Sequence, residues 1–145
     1  MDFEELAFPA LIVADDGWVQ YVGAATSLAR WTPSAIRSYN KRRVVAFDKA
    51  GKPWLIESIA PRQRRHVLLR LVDPVWSNPR ITARILLSAM PGDAVQILQD
   101  ALLVSIDADD DILTQWEEAD ELRQQVLAAN SFSSVLNVLR SAQII

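Results

Sequence analysis

Cysteine is absent from the 145 residues, which excludes disulfides and any thiol nucleophile or thiolate metal ligand. Histidine occurs once, at His66, so no paired-imidazole metal motif can form, and neither a GxSxG elbow nor a glycine-rich phosphate loop occurs. No apolar run reaches the roughly 18 residues that span a bilayer. The opening MDFEELAF is acidic where a secretory signal would be basic, so a cytoplasmic location is the expectation. Internal repeats and low-complexity linkers are missing too. What remains is a chain with 50% hydrophobic residues, enough for one α+β domain over residues 1–145.

The net charge of −3 hides a segregation. Residues 1–29 hold five acids and no base, residues 30–84 hold thirteen bases and three acids, and residues 85–145 hold ten acids and two bases. Such asymmetry either gives the molecule an acidic and a basic face or neutralises itself by packing the segments together.

Two β-favouring runs, ALIVA and WVQYV, flank Asp15, Asp16 and Gly17, a hairpin signal because glycine tolerates the positive φ of such turns. The stretch AATSLARWTPSAIRSYN predicts two short helical turns divided at Thr32, with Trp31, Ile36 and Tyr39 against a sheet. A second hairpin joins RVVAFD to PWLIESIA across Gly51, with Val45 and Phe47 on one face and Trp54 and Ile56 on the other. Residues 62–72 alternate as a strand, DPVWSNP is a loop, and ITARILLSAM predicts a central strand because both its faces are apolar. The expected fold is an antiparallel sheet of about five or six strands with helices on one face.

The C-terminal half is helical by period. Val95, Leu98, Leu102 and Ile106, widened by Ile97, Ala101 and Val104, form one stripe behind a capping Asp93. The run Asp107, Asp109, Asp110, Asp111 should end it, since carboxylates sit badly at a helix C-terminus. Thr114 with Glu117 fits a capping box for a second helix carrying Ala119, Leu122, Val126 and Ala129, with Asn130 as the left-handed residue that ends it. Ser131 or Ser133 caps a third, bearing Phe132, Val135, Leu136 and Leu139, and the helices should pack around Trp116 and Phe132.

Three candidate sites emerge. Asp107, Asp109, Asp111 and Glu118 stand at the first, third, fifth and twelfth positions of an EF-hand loop. Ile112 replaces the glycine needed for its sharp turn, so a solvated acidic turn is the better reading and no metal is expected. His66 has no nucleophile to serve and lies beside Arg64 and Arg65, which would depress its pKa; neither a catalytic residue nor a cofactor is expected. Lys41, Arg42, Arg43 and Arg62, Arg64, Arg65 form basic clusters near Tyr39 and Trp54, the pairing of cations and aromatics that single-stranded nucleic acid requires. Against a nucleic-acid or regulatory role for segment 41–84 stands the overall pI of about 5.1.

The stretch DADDDILTQWEEADELRQQVLAANSFSSVLNVL resembles the C-terminal portion of small immunity proteins from bacterial polymorphic toxin systems: an acidic turn, a Thr-Gln-aromatic step, a helix ending near Ser-Phe and a short last helix. The resemblance implies a cytoplasmic, non-enzymatic protein that binds a cognate toxin domain and blocks it by occlusion. It assigns no individual residue. Charge complementarity with a cationic partner points instead to Asp107, Asp109, Asp110, Asp111, Glu117, Glu118 and Glu121.

Overall fold

The computed structural model describes residues 1–28, 30–62, 81–108 and 118–145. The strand expected at 62–72, the DPVWSNP loop, His66, Arg64, Arg65, Trp116 and the residues Asp109, Asp110, Asp111, Thr114 and Glu117 lie outside these ranges, apart from Arg62. Six strands are described: β1 (Ala10–Ala14), β2 (Val19–Val22), β3 (Arg30–Trp31), β4 (Val44–Phe47), β5 (Pro53–Pro61) and β6 (Ile81–Ala89). They form one sheet in the order β2-β1-β4-β5-β6-β3, every neighbouring pair antiparallel. The helices are α1 (Pro33–Tyr39), α2 (Ala94–Ala108), α3 (Ala119–Ala128) and α4 (Phe132–Ser141). The α+β class and the antiparallel sheet are as the sequence predicts.

β1 and β4 carry apolar side chains at every position and are buried on both faces. Because successive side chains alternate, Leu11, Val13, Val45 and Phe47 enter one core while Ile12, Val44 and Ala46 enter the other. The first core is closed by the three C-terminal helices through Leu98, Leu102, Ile106, Leu122, Val126, Val135 and Leu139. The second is closed by α1 and two 3-10 turns, Phe3–Glu5 and Ala25–Leu28, with Phe3, Leu28, Trp31 and Ile36. Helices therefore cover both faces, where the sequence reading placed them on one; a fully apolar β1 leaves no face that water could wet. β6 lies one strand from the edge and alternates buried Ala83, Ile85 and Leu87 with more exposed neighbours, so it is less central than its composition implied.

Side chains substitute for backbone at three places. Asp48 Oδ1 accepts from the amides of Ala50 (2.9 Å) and Lys52 (3.0 Å), fixing the β4–β5 turn, and its Oδ2 accepts from Trp54 Nε1 at 3.2 Å. Asn40, just past α1, donates to Ile59 O (2.8 Å) and accepts from Ile59 N (2.7 Å), as a neighbouring strand would, near the irregularity between Ile56 and Ser58. Gln99, buried in α2, donates to the carbonyls of Val126 and Ala129, each at 2.9 Å, and to Leu127 O at 3.3 Å. Gln99 thus adds a side-chain donor at the end of α3, where the Val126 carbonyl also accepts from the Ala129 amide at 3.3 Å. Asn130 accordingly does not adopt the left-handed conformation, and Ala129 closes the helix in an extended one.

The start of α3 also moves. Glu118 is its extended N-cap residue and the helix begins at Ala119, while the box expected at Thr114 and Glu117 lies outside the described residues. Asp93 caps α2 as expected, accepting from Val95 N at 2.8 Å and Gln96 N at 3.0 Å, and Ser131 caps α4, accepting from Ser134 N at 3.1 Å. Phe132 packs against the core that the three C-terminal helices share, stacks on Phe47 of the sheet (centroids 6.2 Å apart) and presses on Gly51, so it also anchors α4 to the β4–β5 turn.

Candidate functional site

Hairpin geometry brings the first acidic segment onto the basic one. At the β1–β2 turn Gly17 has φ +90°. Asp16 beside it pairs with Arg42 at 3.2 Å, and Asp15 Oδ2 accepts from Arg43 N at 3.1 Å. Thr32 Oγ1 caps α1 by accepting from Ala35 N, which aims the C-terminus of α1, with Arg37, Ser38, Lys41 and Arg42, at this turn. Together with Asp15 they line an open concavity of about 540 Å³. Arg37, Lys41 and Arg43 have no ion pair among the described residues.

The aromatics beside this cluster are committed elsewhere. Tyr39 packs against Trp18 (4.9 Å) and Trp31 (5.5 Å), and Arg42 sits 6.0 Å from its ring centroid. Burial raises the Tyr39 hydroxyl pKa above its ordinary value, and the Asp16 carboxylate raises it further. Trp54 lies under Lys52, whose Nζ is 4.4 Å from the ring. Neither ring stands free as a platform for bases. Arg62 belongs to a different place: at the end of β5 it makes a two-pronged pair with Glu4, at 2.7 and 3.2 Å. Arg84 does the same with Asp2, and this pair holds the Asp2 carboxyl below its usual range. Three acids of the first segment thus neutralise three bases of the second.

On the helical layer the balance is the reverse. α2 carries no base and α3 carries one, Arg123. Its guanidinium bridges Asp107, in the last turn of α2, and Asp120, in the first turn of α3, at 3.0 and 2.7 Å. The Asp107 hydrogen bond is the main reason the Arg123 pKa is raised. Of the acids expected to bind a partner, Asp107, Glu118 and Glu121 are described and all are exposed, but Asp107 already faces a cation. Glu118, Glu121 and Asp100 have no cationic partner among the described residues. The helix extends through Asp107 to Ala108, farther than the acidic run suggested, because Arg123 offsets the charge that would oppose the helix dipole.

A pocket that sequence reasoning missed lies between the layers. Its volume is about 140 Å³ where the ends of β1 and β4 meet α2, and its lining includes Val13, Val45, Ile97, Ala101, Asp15, Asp100 and Arg43. Asp15 Oδ1 is buried and meets no donor among the described residues. Val104, expected in the buried stripe, is 51% exposed at this pocket. Only the apolar stripe of α2 was available as a signal for it. No family model matches the chain, and no curated protein or solved structure matches it.

Proposed function

We propose that the chain is an immunity-type protein of the cytoplasm that binds a cognate toxin domain and blocks it by occlusion, with no turnover of its own. What carries this reading is the charge of the helical layer: Asp100, Glu118 and Glu121 are exposed with no cationic partner among the described residues, and Arg123 is the single base on α2 and α3. A surface of this kind accelerates association with a cationic domain and suits occupation of a phosphate-binding cleft. Asp109, Asp110, Asp111 and Glu117 would add to it by sequence. No helix among the described residues is long and apolar enough to cross a membrane, consistent with a partner met in solution.

Co-expression with the toxin domain encoded by the adjoining gene should restore growth, and the purified pair should form an equimolar complex. Replacing Glu118 and Glu121 together by lysine should slow association by about tenfold at low salt, with little change in stability, because exposed charges act chiefly on the encounter. Growth that is not restored counts against the function; unchanged association counts against this surface.

The concavity of Arg37, Lys41 and Arg42 favours a second reading, contact with a polyanion. Its mark would be oligonucleotide binding whose salt dependence flattens when Arg37 and Lys41 are replaced.

A further inference from the structure

We propose that the free edge of β2 pairs with the same edge of a second copy of this chain, joining two sheets into one across a two-fold axis. Self-pairing of this edge does not depend on the immunity reading.

The direction of each backbone group along β2 follows from its register with β1. Ala14 N donates to Trp18 O at 2.8 Å on one side of β1, and Asp15 N donates to Arg43 O at 3.1 Å on the other. Inter-strand bonds alternate along an antiparallel pair. With Ile12 opposite Gln20 and Ala10 opposite Val22, the backbones of Gln20 and Val22 therefore face β1, while those of Val19 and Tyr21 face away from it. β2 ends the strand order, and the outward amides and carbonyls of Val19 and Tyr21 have no hydrogen-bond partner among the described residues. Two donors and two acceptors thus stand at a two-residue spacing. A two-fold axis beside Gln20 uses them all: Val19 of each copy exchanges both its bonds with Tyr21 of the other.

The side chains fit this register. Val19 meets Tyr21 of the second copy, a β-branched residue against an aromatic, and Gln20 meets its own equivalent, where each amide can donate to and accept from the other. β2 reads Val-Gln-Tyr-Val, with neither the charge nor the proline by which edges commonly refuse a partner. Gly23 of one copy arrives opposite Gly17 of the other; a Cβ placed on Gly23 would find no atom within 4 Å, so the space at that end is open. A foreign extended segment could take the same four bonds, but only a second copy sets Gln20 against Gln20. Because both copies use the same edge, the assembly closes at two.

Sedimentation velocity of the full chain over a rising concentration series should show monomer passing to dimer and no larger species. Over the same series, amide exchange at Val19 and Tyr21 should slow, while that of Gln20, already bonded to β1, stays unchanged. Gln20→Lys and Gln20→Glu each set like charges against themselves across the axis and should weaken self-association by about fivefold at low salt. An equimolar mixture of the two variants should restore it. Val19→Pro removes an outward N–H that the sheet does not use, so the far-UV spectrum should be retained while self-association falls about tenfold or more, one hydrogen bond being lost from each copy. A chain that stays monomeric at every concentration, species that grow beyond the dimer, protection of Val19 and Tyr21 that ignores concentration, or a mixture that associates no better than either variant alone would each overturn the pairing. Protection of Val19 and Tyr21 that appears only on adding the toxin domain would overturn it too, and would give the edge to that partner.

Discussion

Gly51 shows how narrowly one residue can be constrained. Its φ is +81°, and a Cβ built on it would lie 2.7 Å from Phe132 Cγ, with ring and Cβ atoms close behind. Conformation and space both require glycine. Gly51→Ala should destabilise the protein by about 2–3 kcal/mol, combining left-handed strain with overpacking, as measured by chemical denaturation. Tyr39 makes a prediction on the alkaline side. Its folded-state pKa is raised above the ordinary 10.0 by burial and then by Asp16, so the stabilisation is complete below that value and is lost as pH rises through the folded pKa. Stability should decline above about pH 10 in step with tyrosinate absorbance, and Tyr39→Phe should remove that part of the decline. The glycine turn was legible in the sequence as a turn. Its contact with Phe132, far along the chain, was not, because nothing local to Lys49–Lys52 specifies what lands on it.

Among the elements, the C-terminal limits of α2 and α3 were misplaced in the sequence reading, and both have a tertiary cause: Arg123 for the first and Gln99 for the second. The C-terminus of α3 needs no left-handed Asn130 because Gln99, on another helix, donates to the carbonyls of Val126 and Leu127 in its last turn and to that of the capping Ala129. Gln99→Leu would keep the apolar packing and remove this side-chain donor from all three. A loss of about 2 kcal/mol is expected, together with faster amide exchange in the final turn of α3 and unchanged exchange in β1 and β4. Equal acceleration everywhere would instead mean that Gln99 supports the global fold. α2, α4 and the two hairpins were readable because their information is local: apolar period, a capping Asp93 or Ser131, and a glycine at each turn. Asn40, which imitates a strand for Ile59, carries no such periodic signal; its partner lies nineteen residues onward.

For the whole molecule, the charge pattern was legible and its meaning was not. The three segments were plain in the sequence. Whether they formed faces or cancelled depended on which strand ends the topology brings together, and both outcomes occur. Asp2, Glu4 and Asp16 consume Arg84, Arg62 and Arg42, while α2 and α3 keep a surplus of acid and the end of α1 a surplus of base. The acidic surplus of α2 and α3 was therefore legible, and the pairing of Asp107 with Arg123 was not. The pocket beside Asp15 stayed hidden because it needs residues from three elements.

The sheet has one further property, set by the way Met1 and Asp2 lie along β6. β3 covers only Ile81 and Thr82 of that nine-residue strand, and farther along Asp2 bridges Leu86 while Leu87 N donates to Met1 O. Among the described residues this short segment is what shields the remaining edge from pairing with the strand of another molecule, the first step of fibril growth. Its clasp is the Asp2–Arg84 pair. Because the Asp2 pKa is depressed, the clasp is intact above its ordinary value of 3.8 and opens as pH falls through the lower folded value. Acid solutions of the protein should accordingly self-associate in a concentration-dependent way by light scattering. Asp2→Asn should shift that onset to higher pH, which makes two surface residues at one end of the chain a determinant of its colloidal lifetime.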